Sequence, residues 1–348
     1  MDTLSQPVTI PTLRHVAKQA RVSLSTASSV MNGHAERLRI SAKTQERVLT
    51  TAEQLGYQPN PLAAGLRLKR SQSIGVLWSF AGPHGSSQLV RNFSGQAMQH
   101  GYSTLVYDTL NDPELIVSQL RAAAKNRVDG VVFAIGRASI KPFLPLLEKL
   151  PHVVLVTARP YDDLPFLQII HCMTRALHDA VHHLVAAGRD RFAFIGSLPG
   201  NTSKTEAISA ALKAAGLSRP LSLFHCSEAF PFSQKEEDWS FRTHPEFTSA
   251  NAIFAATDEI AAAVTSALHE AGRKVPEEVA VVGFNNSPFA SLFTPPLASI
   301  QRFDDLLAHR AMERIIAAIE ERHDAFPHTE TINMEFIWRS SAGAPPAP

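Results

Sequence analysis

A run of small hydroxyl and amide side chains lies near the start of this 348-residue chain, in the order Ser23, Leu24, Ser25, Thr26, Ser28, Ser29 and Asn32. Side chains of these types hydrogen-bond to phosphate oxygens and base edges, and a leucine can rest on a thymine methyl. The spacing around them predicts the element that would carry them. Leu13, Val16, Ala17 and Ala20 recur at helical period after Thr12, a favourable N-cap. A turn, Ala20-Arg21-Val22-Ser23, follows, with Ser23 placed to cap a second helix whose Ala27, Val30 and Met31 face back to the first. A third helix starts at Ser41, buries Val48, Ala52 and Leu55, and stops at Gly56. The result is a compact three-helix unit with a helix-turn-helix, and its second helix is a probe for the DNA major groove.

Charge agrees with this. Through Arg70 there are ten Lys and Arg against four Asp and Glu, a net of +6. The whole chain has 33 against 32, so the remainder has 23 against 28, a net of −5. A basic head neutralises phosphates and releases counterions, which makes affinity fall with salt.

Other constellations carry less. His178 and His182 are four apart, with His171 and His183 near, but no carboxylate or cysteine completes a metal set, and the expected metal and cofactor are none. No P-loop, nucleophile elbow, H-E-x-x-H or paired C-x-x-C occurs, so an enzyme is not expected. Cys172 and Cys226 are two lone thiols, suited to a reducing cytoplasm. No signal peptide and no apolar run of membrane length is present, so no membrane partner is expected.

From Ser73 onward short apolar runs alternate with helical stretches. The runs include S-I-G-V-L-W-S, D-G-V-V-F-A-I, H-V-V-L-V-T, R-F-A-F-I-G and V-A-V-V-G-F. The helical stretches are Ser87–His100, Glu114–Asn126, Arg175–Ala187, Lys204–Ala215 and Glu259–Ala271. Apolar β-branched runs between helices predict parallel sheets covered on both faces. The length calls for two doubly wound lobes with a ligand cleft off the strand ends.

Three stretches occur in order: V-A-K-Q-A-R-V-S-L-S-T-A-S-S-V-M-N, then I-S-A-K-T-Q-E-R-V, then L-G-Y-Q-P-N-P-L-A-A-G-L-R. Together they resemble the lactose-repressor (LacI/GalR) family of bacterial transcription regulators. The resemblance extends, less tightly, to about Arg339. It implies an all-α helix-turn-helix head over 1–58, a hinge helix over 59–71, an α/β periplasmic-binding-protein-like type I sensor over 72–340 whose lobes cross more than once, and a disordered tail over 341–348. It further implies a regulator, by default a repressor, that binds a pseudo-palindromic operator in double-stranded DNA as a homodimer and is switched by a small-molecule effector. The alternatives are a regulator whose pocket binds nothing, or a cytoplasmic binding protein or enzyme of the same lobe fold.

The resemblance assigns base reading to Leu24, Ser25 and Ser29 and phosphate contact to Thr26, Ser28 and Asn32. It places Ala63 and Leu66 in a hinge helix that enters the minor groove, with Leu66 as the wedge. The family often has Arg where this chain has Ser29, so an unusual operator is expected. Arg21 stands where Gly is common, and the loop 32–41, with Arg37 and Arg39, is about three residues longer than usual. In the cleft, the resemblance carries effector contacts to Arg159, Lys204, Asp258 and Asn285, while Phe80 is an aromatic candidate for stacking. Asn285 and Cys172 replace carboxylates, and Arg159 and Lys204 leave the cleft positive, so an anionic effector or a sugar derivative is expected. The dimer surface is expected near Asn92–His100 and Glu259–Gly272.

Overall fold

The computed structural model describes residues 11–57, 70–79, 83–135, 139–198, 202–227, 230–231, 235–322 and 327–344, with side chains undescribed at 83–87. The chain divides between Ser71 and Gln72 into two compact units.

The first unit is a three-helix head: α1 (Leu13–Gln19), α2 (Leu24–Met31) and α3 (Ala42–Gln54). Its core is Val16, Ala17, Ala20, Ala27, Val30, Val48 and Ala52, all buried, the set that helical period selects. Thr12 is at the N-cap of α1, and its N–H donates to His15 Nδ1 at 3.2 Å. Arg47 Nε donates to Ala20 O at 2.9 Å, closing the end of α1 from α3. Gly56 has φ +63°, as a helix stop requires.

The second unit contains two six-stranded sheets. In the first lobe β1 (Ser73–Trp78), β2 (Ser103–Asp108), β3 (Gly130–Ala134), β4 (Val153–Thr157), β5 (Leu167–Cys172) and β11 (Thr329–Asn333) lie in the order β11-β5-β4-β3-β1-β2. In the second, β6 (Phe192–Gly196), β7 (Ser222–His225), β8 (Ala252–Ala255), β9 (Ala280–Phe284), β10 (Ala298–Gln301) and β12 (Glu335–Ile337) lie in the order β12-β10-β9-β8-β6-β7. All pairings are parallel except β10 with β12. Strand alternation sorts the first lobe into two cores: Ile74, Val76, Val132 and Val154 face one side, and Leu77, Val131, Phe133 and Leu155 the other. Helices α4 (Pro83–Gln99) and α11 (Asp304–Ile319) cover the first side, through Leu89, Phe93, Ala311 and Ile315. Helix α5 (Pro113–Lys125) and the short α6 (Leu144–Leu147) cover the other.

Five strands, β5, β7, β10, β11 and β12, stand outside the predicted elements, as do α11 and the short α6. All of these but β7 and α6 make the crossings between lobes. The chain passes from β5 into α7 (Thr174–Ala186), from β10 into α11, and from β11 through Met334 into β12. The predicted tail also begins too early. Ser341 is buried, donates to Val281 O at 2.6 Å and accepts from Ala298 N at 2.8 Å. Ala342 is buried, and Ala344 O lies 3.3 Å from His183 Nε2. The reason is physical: a small hydroxyl side chain satisfies two backbone groups at the edge of the second core.

Candidate nucleic-acid interface and effector cleft

Ser23 organises the reading helix. Its Oγ accepts from Thr26 N at 3.0 Å, and it lies 2.7 Å from Ser25 Oγ and 2.8 Å from Thr26 Oγ1. Leu24 is 44% exposed, and Ser23 and Ser25 are exposed beside it, so the helix offers its first turn to a partner. Thr26, Ser28 and Ser29 are half-buried. At the far end Asn32 Nδ2 donates to Ser28 O at 2.6 Å and to Ser28 Oγ at 3.2 Å. Ser28 and Asn32 thus close the helix end in the head by itself. Arg21 has φ +51°, so a side chain that disfavours left-handed backbone occupies a left-handed turn.

The long loop after α2 is built rather than loose. Ala35 enters the head core, Leu38 N bonds to His34 O at 3.3 Å, and Ile40 N bonds to Ala35 O at 2.9 Å. Arg37, Leu38 and Arg39 are left exposed on this turn, with Leu38 at 59%. The turn follows α2 directly, so its two exposed cations flank the helix expected to read DNA. Replacing both by alanine is expected to reduce the slope of log affinity against log salt by about 2, at roughly 0.9 per phosphate. A salt titration of operator binding checks this; an unchanged slope means that the turn does not touch DNA.

Ala63, Leu66 and Phe80 lie outside the described residues, as do 58–69 of the predicted hinge.

The cleft residues separate into distinct roles. Lys204, in the first turn of α8 (Thr202–Ala214), donates from Nζ to Ala256 O at 2.6 Å and lies 4.5 Å from the Phe284 ring centroid. It therefore sits where β8 and β9 end. Asn285 follows β9 with φ +95°, is half-buried, and is held by its N–H to Ile300 O at 2.9 Å. Asn286 N–H donates to Ser299 Oγ at 2.9 Å, and its Oδ1 accepts from Arg339 Nη2 at 2.7 Å. Arg159 is exposed past the end of β4, its guanidinium 5.9 Å from the Tyr161 ring centroid.

Asp258 does not line the cleft, which corrects the expectation of an effector contact. It is fully buried at the start of α10 (Asp258–Glu270), which follows the short α9 (Pro245–Ser249). Oδ2 accepts from Ser287 N, and from Ser287 Oγ at 2.8 Å, while Oδ1 accepts from Ser299 Oγ at 2.6 Å. Burial pushes its carboxyl up to about 6 against the pull of these hydrogen bonds. A Cβ on Gly283 would lie 2.2 Å from Asp258 Oδ1, so glycine is required at that point of β9.

Two residues absent from the predicted contacts belong to this region. His171, near the end of β5, has a buried Nδ1 with no hydrogen-bond partner. Burial first, then the charges of Arg302 and Lys204, hold its imidazole down to about 3. Arg302, in the crossing from β10 to α11, pairs through Nε and Nη2 with Asp304 and lies 5.7 Å from the Trp78 ring centroid. Only the crossings bring these side chains toward Lys204, and sequence spacing does not show them. Trp78 is buried 6.0 Å from Phe93, and Trp239 packs on Phe230 at 4.7 Å under the guanidinium of Arg242, so both are held in aromatic clusters. His178 and His182 stack at 6.2 Å on the surface, and among the described residues no group of three or more His, Cys, Asp or Glu could hold a metal.

A helix-turn-helix head followed by two parallel-sheet lobes with three crossings defines the class: a DNA-reading head on a periplasmic-binding-protein-like body. The family model for bacterial regulatory proteins of the lacI family matches residues 12–60, and that for the periplasmic binding protein-like domain matches residues 181–342. The chain thus carries a LacI-family helix-turn-helix domain and a periplasmic binding protein-like domain. It is 29% identical over 317 residues to the ribose operon repressor of Escherichia coli strain K12, covering 89% of this chain and 93% of that one. It is 28% identical over 295 residues to the HTH-type transcriptional regulator DegA of Bacillus subtilis strain 168, covering 83% and 86%. Its fold matches the lac repressor dimer bound to operator and the anti-inducer ONPF with a TM-score of 0.82 at 24% identity, over 97% of this chain and all of that chain. Among the described residues no helix is long and apolar enough to cross a membrane.

Proposed function

We infer that this chain is a transcriptional regulator acting as a repressor. It binds a pseudo-palindromic operator as a homodimer, and a small molecule in the interlobe cleft shifts its operator affinity. The observation that carries this reading is the joint presence, in one chain, of an exposed capped recognition helix, Leu24–Met31, and a body whose two lobes are linked by three crossings. Lobes joined in this way move relative to one another about the crossings, and a ligand that prefers one setting shifts its population. The relatives named as repressors support the same reading, and no enzymatic step is assigned. Cytoplasmic residence follows from the role.

We assign base contacts to Leu24, Ser25 and Ser29, phosphate contacts to Ser23, Thr26, Ser28 and Asn32, and minor-groove contacts to Ala63 and Leu66. Asn285, Lys204, Arg159 and Phe80 are assigned to the effector. The dimer surface includes the outer face of α10, where Ala262, Thr265, Ser266, His269 and Phe293 line a cavity of about 740 Å³. Glu259 and Ile260 face inward and are excluded from it.

Selection from random DNA tests the operator claim: a half-site without strong guanine selection opposite Ser29 is expected. Ser29→Arg is expected to add a guanine preference of about 1–3 kcal/mol at that base pair. If the parent protein already selects guanine there as strongly as the variant, the assignment of Ser29 is wrong. Removing residues 1–70 separates the classes, since a regulator then loses DNA binding while its body keeps ligand binding.

A further inference from the structure

Three basic side chains from different parts of the second unit lie within electrostatic reach of one another. His171 is on β5 of the first lobe, Lys204 is on α8 of the second, and Arg302 is on a crossing between them. The imidazole senses the charges of both Arg302 and Lys204. No carboxylate among the described residues pairs with it. Cys172 follows it on the strand, and Ile332 lies opposite on β11. Glu330, the next carboxylate along β11, faces Ile169 and is engaged by Arg310 and Arg314. Helix α11 turns Leu307, Ala308 and Ala311 toward this sheet. Asp304 is committed to Arg302, and Asp258 is sealed beneath Ser287 and Ser299. Among the described residues no ion pair includes His171, and its Nδ1 is a buried polar atom without a partner. A buried nitrogen without a hydrogen-bond partner is unfavourable unless a ligand satisfies it.

We propose that the interlobe cleft takes an effector bearing an acidic group, a carboxylate or a phosphate on a small polyol, with that group seated against His171, Lys204 and Arg302. This rests on the reading of the chain as an effector-switched regulator and names the chemical class of the effector. The acidic oxygens give His171 an acceptor and complement two cations that belong to different parts of the body. Such a ligand interacts with both lobes at once, so it binds one setting of the lobes more tightly than another.

The test is calorimetric titration of the full chain with a neutral pentose, its aldonate, its phosphate ester, and inorganic phosphate as the minimal probe. Operator affinity is measured alongside with each. The aldonate or the ester is expected to bind about tenfold or more tightly than the pentose, a charge-assisted preference. Lys204→Met and Arg302→Gln are expected to weaken aldonate and ester binding far more than pentose binding, so that the preference disappears, and melting curves confirm that both variants fold. Carboxylates stay ionised above about pH 5. Aldonate affinity should therefore stay level from about pH 8 to about 5.5, since an imidazole held down to about 3 is neutral throughout. His171→Leu, which has no donor, should weaken aldonate binding more than pentose binding. Binding of the ester but not the aldonate assigns the site to phosphate, and the reverse assigns it to carboxylate. Equal or tighter binding of the neutral pentose overturns the proposal, and so does a preference unchanged in both variants. If the neutral sugar alone binds and shifts operator affinity, the regulator reading stands while the acidic-group proposal falls. If the chain binds no operator under any condition, the regulator reading itself fails.

Discussion

Asp258→Ala is expected to unfold the second lobe at markedly lower denaturant than the parent, with a loss of about 3–6 kcal/mol. The carboxylate accepts from one N–H and two hydroxyls, all buried. Removing it leaves those donors unsatisfied, at roughly 1–3 kcal/mol each. Asp258→Asn retains an acceptor for the Ser287 N–H, and a serine hydroxyl can rotate to receive the new amide, so its loss should be much smaller. The pH dependence has a definite sign. Burial raises the folded carboxyl from 3.8 to about 6. The stability it contributes is therefore complete below the unfolded value and is lost as pH rises through about 6. The difference amounts to about 3 kcal/mol, at roughly 1.4 kcal/mol per pH unit. Urea unfolding at about pH 4 and pH 7 should show the parent losing this increment relative to Asp258→Asn. A folded Asp258→Asn protein that binds effector as the parent does identifies Asp258 as a scaffold for the Asn285–Asn286 corner. A selective loss of effector binding with stability unchanged would return it to the cleft.

Asp258 also shows where reading a sequence stops. Its position next to Thr257, before a helical run, is legible, and that helix forms with Thr257 Oγ1 accepting from Ile260 N at 3.3 Å. Its burial is not legible, because it depends on Ser287 and Ser299, 29 and 41 residues away. The head was readable almost residue by residue: its core repeats at helical spacing within one short segment, and Ser23 caps locally. In the lobes, strands covered on both faces announce themselves by continuous apolar runs, as in Val153–Thr157 and Ala280–Phe284. Thr329–Asn333, Glu335–Ile337 and Ser222–His225 are edge strands with polar or alternating sequence, and they carry no such signal. Helix α11 differs, since Leu307, Ala311 and Ile315 repeat at helical spacing and were open to recognition. The crossings were hidden because sheet membership is decided by pairing, and that in turn hid Arg302 and His171 as neighbours.

Arg314→Ala is expected to produce a comparable loss in the first lobe, about 3–5 kcal/mol, the usual scale for removing one member of a buried ion pair. Arg314 is fully buried on α11, donates from Nη1 to Pro327 O at 2.6 Å, and pairs through Nη2 with Glu330 on β11. Arg310 Nε lies 3.4 Å from the other oxygen of Glu330. The guanidinium thus pins the edge strand β11 to α11, and β11 continues through Met334 into the other lobe. Truncation to alanine also enlarges a neighbouring cavity of about 330 Å³ lined by His152, Phe166 and Arg322. Arg314→Met fills most of that volume and leaves Glu330 with Arg310, so its loss should be the smaller of the two. Because two lobes need not unfold together, the quantity to follow is the first transition in a urea titration. Loosening β11 weakens one of three links between the lobes. Arg314→Met should therefore reduce the change in operator affinity caused by effector more than it reduces effector affinity itself. Equal stability of Arg314→Ala and parent would show that the pair contributes nothing net, and full coupling in Arg314→Met would show that β11 does not carry the switch.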